Sequence, residues 1–127
     1  MMVLVHTFRC NIDTRSGVSA AAIGEEVYLV QRVCNGCIHV GVYHSDTGCL
    51  IGYIEHRYRR RLWPLMEPWG RGPNQVLSLI ATYEEGGNSY FSPIVIKIYY
   101  TPGQSNSVRA VTGYVKGVLR GLVQAYV

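Results

Sequence analysis

The segment from Val27 to Ile54 constrains the fold most. Val27-Tyr28-Leu29-Val30-Gln31-Arg32-Val33 and Ile38-His39-Val40-Gly41-Val42-Tyr43 are rich in β-branched and aromatic residues, and Asn35-Gly36 stands between them. That dipeptide readily takes positive φ at both positions, as a two-residue type I′ hairpin turn requires. Ser45-Asp46-Thr47-Gly48 supplies a second turn, and Cys49-Leu50-Ile51-Gly52-Tyr53-Ile54 a third strand. A compact three-stranded meander is therefore predicted.

The flanking sequence adds further strands and two helices. Val3 to Arg9 alternates as a strand, Asn11 to Gly17 is a polar loop with turn formers, and Ala20 to Glu26 is read as a short helical turn. Glu55 to Met66 is predicted as a helix that Pro64 must kink or restart. Trp69 to Asn74 is a loop. Val76 to Tyr83 and Ile94 to Tyr100 form a second hairpin, whose tip, Glu84 to Pro93, carries Tyr90 and Phe91. Five or six strands with short connections predict a small closed or partly open barrel, in a fold that is mainly β with some α. After Thr101-Pro102-Gly103 the period changes. Val108, Val111, Val115, Val118, Leu119, Leu122 and Tyr126 recur at helical steps, with Ser105 or Ser107 available as N-cap, so a C-terminal amphipathic helix of about five turns is expected. The expected division is a barrel over residues 1–100 and this helix over 101–127, packed on the same domain or on a partner. Gly113, Gly117 and Gly121 would form one stripe of the helix, a route to a homodimer. Its cations, Arg109, Lys116 and Arg120, are fewer than membrane-surface helices usually carry.

A chain of 127 residues with 48% hydrophobic content supports one core. Ten of its twelve basic residues are arginine, against eight acids. Guanidinium binds phosphate bidentately and stacks on rings, so this bias favours an anionic partner more than the net charge of +4 does. No apolar run reaches ~18 residues and the start lacks the features of a secretory signal, so an intracellular protein without a membrane partner is expected. In that setting the four cysteines are free thiols or ligands rather than disulfides. Cys34-x2-Cys37-x6-His44-x4-Cys49 has near-zinc-knuckle spacing. The meander argues against it, since seven strand residues separate the two pairs by ~23 Å while zinc bonds span only ~2.0–2.3 Å. A cross-strand Cys34–Cys37 disulfide is the third alternative. No cofactor is expected.

The third meander strand runs into His56-Arg57-Tyr58-Arg59-Arg60-Arg61-Leu62-Trp63, arginines interleaved with aromatics. Such a cluster suits phosphate neutralisation and base stacking. Nothing points to catalysis. Ser45 adjoins His44, so with Asp46 they cannot form a triad, and Glu25-Glu26 and Glu84-Glu85 look like solvated charges.

Leu29-Val30-Gln31-Arg32, Asn35, Ile38-His39-Val40, Gly48 and Ile51-Gly52-Tyr53-Ile54, followed by a short helix, resemble the HIRAN domain. That family's pattern is an L-x-x-R strand, an asparagine-containing loop, an A-I-x-V strand and a G-x-x-I-G-Y strand leading to a helix. The resemblance spans roughly Val3 to Tyr100 in element order, and its specific residues lie within Val27 to Ile54. It implies an OB-like barrel with two helices that captures a single-stranded DNA end. Arg15 stands near the arginine that follows the family's first strand, but Ser16 and Gly17 replace the aromatic pair beside it. Asn35 matches the loop asparagine, and the aspartate usual a few residues later is absent. Tyr53 matches the residue after the strand glycine, His56 falls where a polar group reaches phosphate, and Phe91 would stack on a base.

The resulting expectation is a non-catalytic module for single-stranded DNA, DNA ends or RNA. Its expected contacts are Arg15, Asn35, Tyr53, His56, Arg57, Tyr58, Arg59, Arg60, Arg61 and Phe91. The alternatives are a protein-interaction module, such as a small viral regulator or inhibitor using the barrel face and glycine stripe, and a zinc-binding nucleic-acid protein.

Overall fold

A computed structural model describes residues 2–17, 22–66, 77–84, 90–102 and 107–121. The strands are β1 (Val3–Asp13), β2 (Glu26–Cys34), β3 (Cys37–His44), β4 (Leu50–Ile54), β5 (Leu77–Tyr83) and β6 (Phe91–Tyr100). Helix α1 (His56–Met66) follows β4, and α2 (Val108–Leu119) follows β6. All six strands pair antiparallel and close a barrel in the order β1-β4-β3-β2-β5-β6. This is the small OB-like barrel with one helix after the meander and another at the C-terminal side. Val40, Val42, Ile51, Ile94, Ile96, Ile98 and Tyr100 are fully buried inside it.

The meander forms as its turns require. Asn35 and Gly36 take φ of 52° and 76°, and β2 pairs with β3 from Val27↔His44 to Cys34↔Cys37. His44 N–H donates to Cys49 O at 3.0 Å across the second turn. Elsewhere the boundaries differ from expectation. β1 continues through Asn11-Ile12-Asp13, read above as loop, because Ile12 is fully buried and β6 pairs alongside to Asp13↔Phe91. The polar neighbours of Ile12 had masked the alternation. For the same reason Phe91 to Pro93 belong to β6 rather than to a hairpin tip. Ala22 to Glu25 is a turn, with Gly24 at φ 85°, and not a helical turn. Residues 20–21, 69–74, 76, 85–89, 105, 122 and 126, which figure in the expectations above, lie outside the described residues.

Helix α1 runs through Pro64 and buries Leu62, Pro64 and Leu65. A helix leaves its last carbonyls without intrahelical donors. One of these, Trp63 O, accepts from Gln31 Nε2 at 3.2 Å, which ties the helix end to β2. Helix α2 packs on β1 and α1 through Val111, Val115, Val118 and Leu119. Ser107 caps it, its Oγ accepting from Ala110 N–H at 3.1 Å. Ser107→Ala is expected to cost about 1 kcal/mol in urea unfolding. The helix ends after about three turns. Arg120 is the C-cap, and Gly121 follows at φ 74°, donating to Val118 O at 3.0 Å. Gly121 therefore stops the helix and does not continue the stripe of Gly113 and Gly117.

The register spreads the cysteine and histidine cluster along the length of β3, with Cys37 at its start and His44 at its end. Among the described residues no three His, Cys, Asp or Glu side chains come together as a metal site. His44 Nδ1 instead lies 3.0 Å from Glu25 Oε2. Cys37 and Cys49 are exposed, and Cys10 is buried in β1.

Candidate nucleic-acid interface

Directly paired residues in antiparallel strands present their side chains on the same face. The registers link Val30 to Gly41, Gly41 to Tyr53, Tyr53 to Asp13 and Asp13 to Phe91. One outward row thus crosses five strands, β2-β3-β4-β1-β6. Arg32 and His39, also paired, stand beside it one step along the hairpin. Above this surface, the start of α1 walls an open groove of ≈ 590 Å³.

Five of the expected contacts meet in that groove: Arg15, Tyr53, His56, Arg59 and Phe91. Residues three apart on a helix share a face, which explains His56 with Arg59. The other five do not line it. Asn35 occupies the exposed β2–β3 turn, and Arg60 and Arg61 are exposed on α1 without lining the groove. Arg57 Nε lies 3.5 Å from Glu55 Oε2, with its guanidinium 4.6 Å from the centre of the Tyr58 ring. Tyr58 itself packs edge-on against Phe8, ring centres 5.8 Å apart.

The groove also contains residues the sequence reading did not select: Asp13, Arg32, His39 and Glu55. The hairpin register carried a signal for two of them. A two-residue turn at 35–36 sets Arg32 opposite His39 and so brings both onto the same face as Tyr53.

The polar groups are mutually braced. Arg15 donates from Nε to Asp13 Oδ1 at 3.0 Å and from Nη2 to Oδ2 at 2.5 Å. Hydrogen bonds from the Arg15 side chain and backbone hold the Asp13 carboxyl below its ordinary range. The Arg15 guanidinium lies 5.8 Å from the Phe91 ring centre and 5.9 Å from that of Tyr90. Arg59 Nη1 is 3.1 Å from His39 Nδ1. A guanidinium can only donate, so His39 Nδ1 is the acceptor. The His39 ring meets Tyr53 edge-on at 5.7 Å. Arg32 Nη1 donates to Tyr43 Oη at 2.9 Å. Three guanidinium groups, two imidazoles and two aromatic rings therefore surround one opening, and both of its carboxylates, Asp13 and Glu55, face arginines.

No protein-family model matches the chain, and no curated protein matches it. Among the described residues no helix is long and apolar enough to cross a membrane.

Proposed function

We propose that the groove binds single-stranded nucleic acid, DNA or RNA, and acts by binding rather than by catalysis inside the cell. The observation that carries this reading is the convergence of Arg15, Arg32 and Arg59 with Tyr53 and Phe91 on one open groove. Arginines there can neutralise successive phosphates while the rings offer faces to bases, the combination that sequence-tolerant single-strand binders use. The resemblance of the meander to the HIRAN domain points the same way. The groove gathers Tyr53, Phe91 and Arg15, residues for which that resemblance implies a part in strand capture. Asp13, supplied by β1, adds a carboxylate acceptor to the groove.

The test is fluorescence anisotropy with labelled oligo-dT and oligo-rU over a salt series. Three phosphate contacts give an expected slope of about −2 in log K against log salt. Arg59→Ala is expected to weaken binding about tenfold and to flatten the slope to about −1.4. Arg61→Ala, outside the groove, should change affinity by less than about twofold. Binding indifferent to salt, or equal losses from the two variants, would remove the groove as the site and favour a protein partner.

A further inference from the structure

We propose that the bound strand leaves the groove over β3 and continues along the outer face of the β2–β3 hairpin, where Tyr43, Val30 and Tyr28 form a second stacking subsite. This inference rests on the reading of the groove as a single-strand site. It adds the direction in which the strand runs across the barrel, and its length.

Continuity comes first from the row described above. Tyr53, in the groove, is paired with Gly41, and Gly41 with Val30. Gly41 has no side chain of its own to fill its place in that row. The Tyr43 ring lies there instead, for a Cβ at Gly41 would fall 2.6 Å from Tyr43 Cε2 and 3.2 Å from Cζ. The ring therefore lies low over the sheet between Tyr53 and Val30. Tyr28, paired with Tyr43, extends the same surface. A second, shallower depression of ≈ 300 Å³ lies here, lined by Tyr28, Val30, Arg32 and Tyr43 among others.

Arg32 joins the two. It lines both depressions, donates to Tyr43 Oη at 2.9 Å and places its guanidinium 5.9 Å from the Tyr43 ring centre. A phosphate at Arg32 would thus have a ring on either side, Tyr53 and Tyr43. The apolar residues beyond are exposed, Tyr28 at 54% and Val30 at 43%. Charge identifies the occupant and the end of the path. The strip is cationic at Arg32, aromatic at Tyr43 and Tyr28, and ends where exposed Glu26 and Asp46 would repel phosphate. From Arg32 to Tyr28 is four residues of strand, ~13 Å, room for about two to four nucleotides.

The experiment measures affinity for oligo-dT of two, four, six and ten nucleotides in wild type, Val30→Glu and Gly41→Ala. Wild type is expected to gain about tenfold or more between four and ten nucleotides, over the length that extends past the three phosphate contacts of the groove, since each stacked base contributes substantially. Val30→Glu, at an exposed position of β2, should abolish that gain while weakening the shortest oligomers far less. Gly41→Ala should do the same by lifting the Tyr43 ring. A length gain that survives both variants overturns the second subsite while leaving the groove in place. Failure of wild type to bind any oligomer removes the groove reading and this inference together. Conversion of a wild-type dimer to monomer by Val30→Glu, followed by sedimentation, would assign the face to self-association and overturn the proposal.

Discussion

Gly52→Ala is expected to destabilise the barrel by about 2–3 kcal/mol, near the upper end of overpacking costs, and to weaken oligonucleotide binding as well. A Cβ at Gly52 would collide with Asp13 O and press on Asp13 C at 3.1 Å and Thr14 Cα at 3.3 Å. All three are backbone atoms of β1 or its immediate end, and backbone held in paired strands cannot swing aside. Gly17 interlocks from the other direction, where a Cβ would strike Ile51 O. Among the described residues two pairs, Ile12↔Ile54 and Asp13↔Tyr53, join β1 to β4. The second of these holds two groove residues side by side, so forcing the seam apart moves the site. Gly41→Ala provides the contrast. Its Cβ meets the far end of a half-buried Tyr43 ring, which can rotate away, so stability should change by less than about 1 kcal/mol. Urea titrations of the two variants separate these outcomes. Equal stability losses would mean that β4 does not lie against β1 as closely as described.

The residues that were legible in the sequence were those set by local chemistry. Asn35-Gly36 dictates its own turn, and that turn fixes the whole β2–β3 register. The same register makes Arg32 and His39 neighbours, a consequence available from sequence by counting back from the turn. Helical phase was equally available for α1. With the helix starting at His56, Arg59 shares its face and Arg61 does not; Arg60, also near that face in phase, still does not line the groove, so phase gave only part of the answer. What sequence could not supply was the closure of the barrel. Asp13 and Phe91 are far apart in the chain and meet Tyr53 only because β1 pairs with both β6 and β4. The polar residues around Ile12 hid the end of β1, and no local pattern announces which strands close a barrel. The glycine stripe failed for a related reason: spacing alone cannot tell a helix-interior glycine from one, such as Gly121, that ends the helix at positive φ.

Alkaline pH is expected to destabilise the fold through Cys10, with a loss that develops between about pH 9 and 12. Burial, and secondarily the negative charge of Glu55, pushes the Cys10 thiol from its ordinary 9.0 up to about 12. Above pH 9 the unfolded chain loses this proton while the folded chain keeps it, so stability falls as pH rises. A raised folded-state value thus contributes stability that is fully present below pH 9 and lost on passing through the folded value. Three units at ~1.36 kcal/mol each set a ceiling of about 4 kcal/mol, of which roughly half is lost by pH 10.5. Tyrosines and lysines also titrate in this range, and Cys10→Val isolates the thiol because valine fills nearly the same apolar space without an ionisable group. The difference in unfolding free energy between wild type and Cys10→Val should therefore shift by about 2 kcal/mol between pH 8 and 10.5, in the direction that favours the variant at high pH. A pH-independent difference would place Cys10 in contact with water. The same burial predicts the order of thiol reactivity at neutral pH: exposed Cys37 and Cys49 react with a thiol reagent in the folded protein, and Cys10 only as the barrel opens.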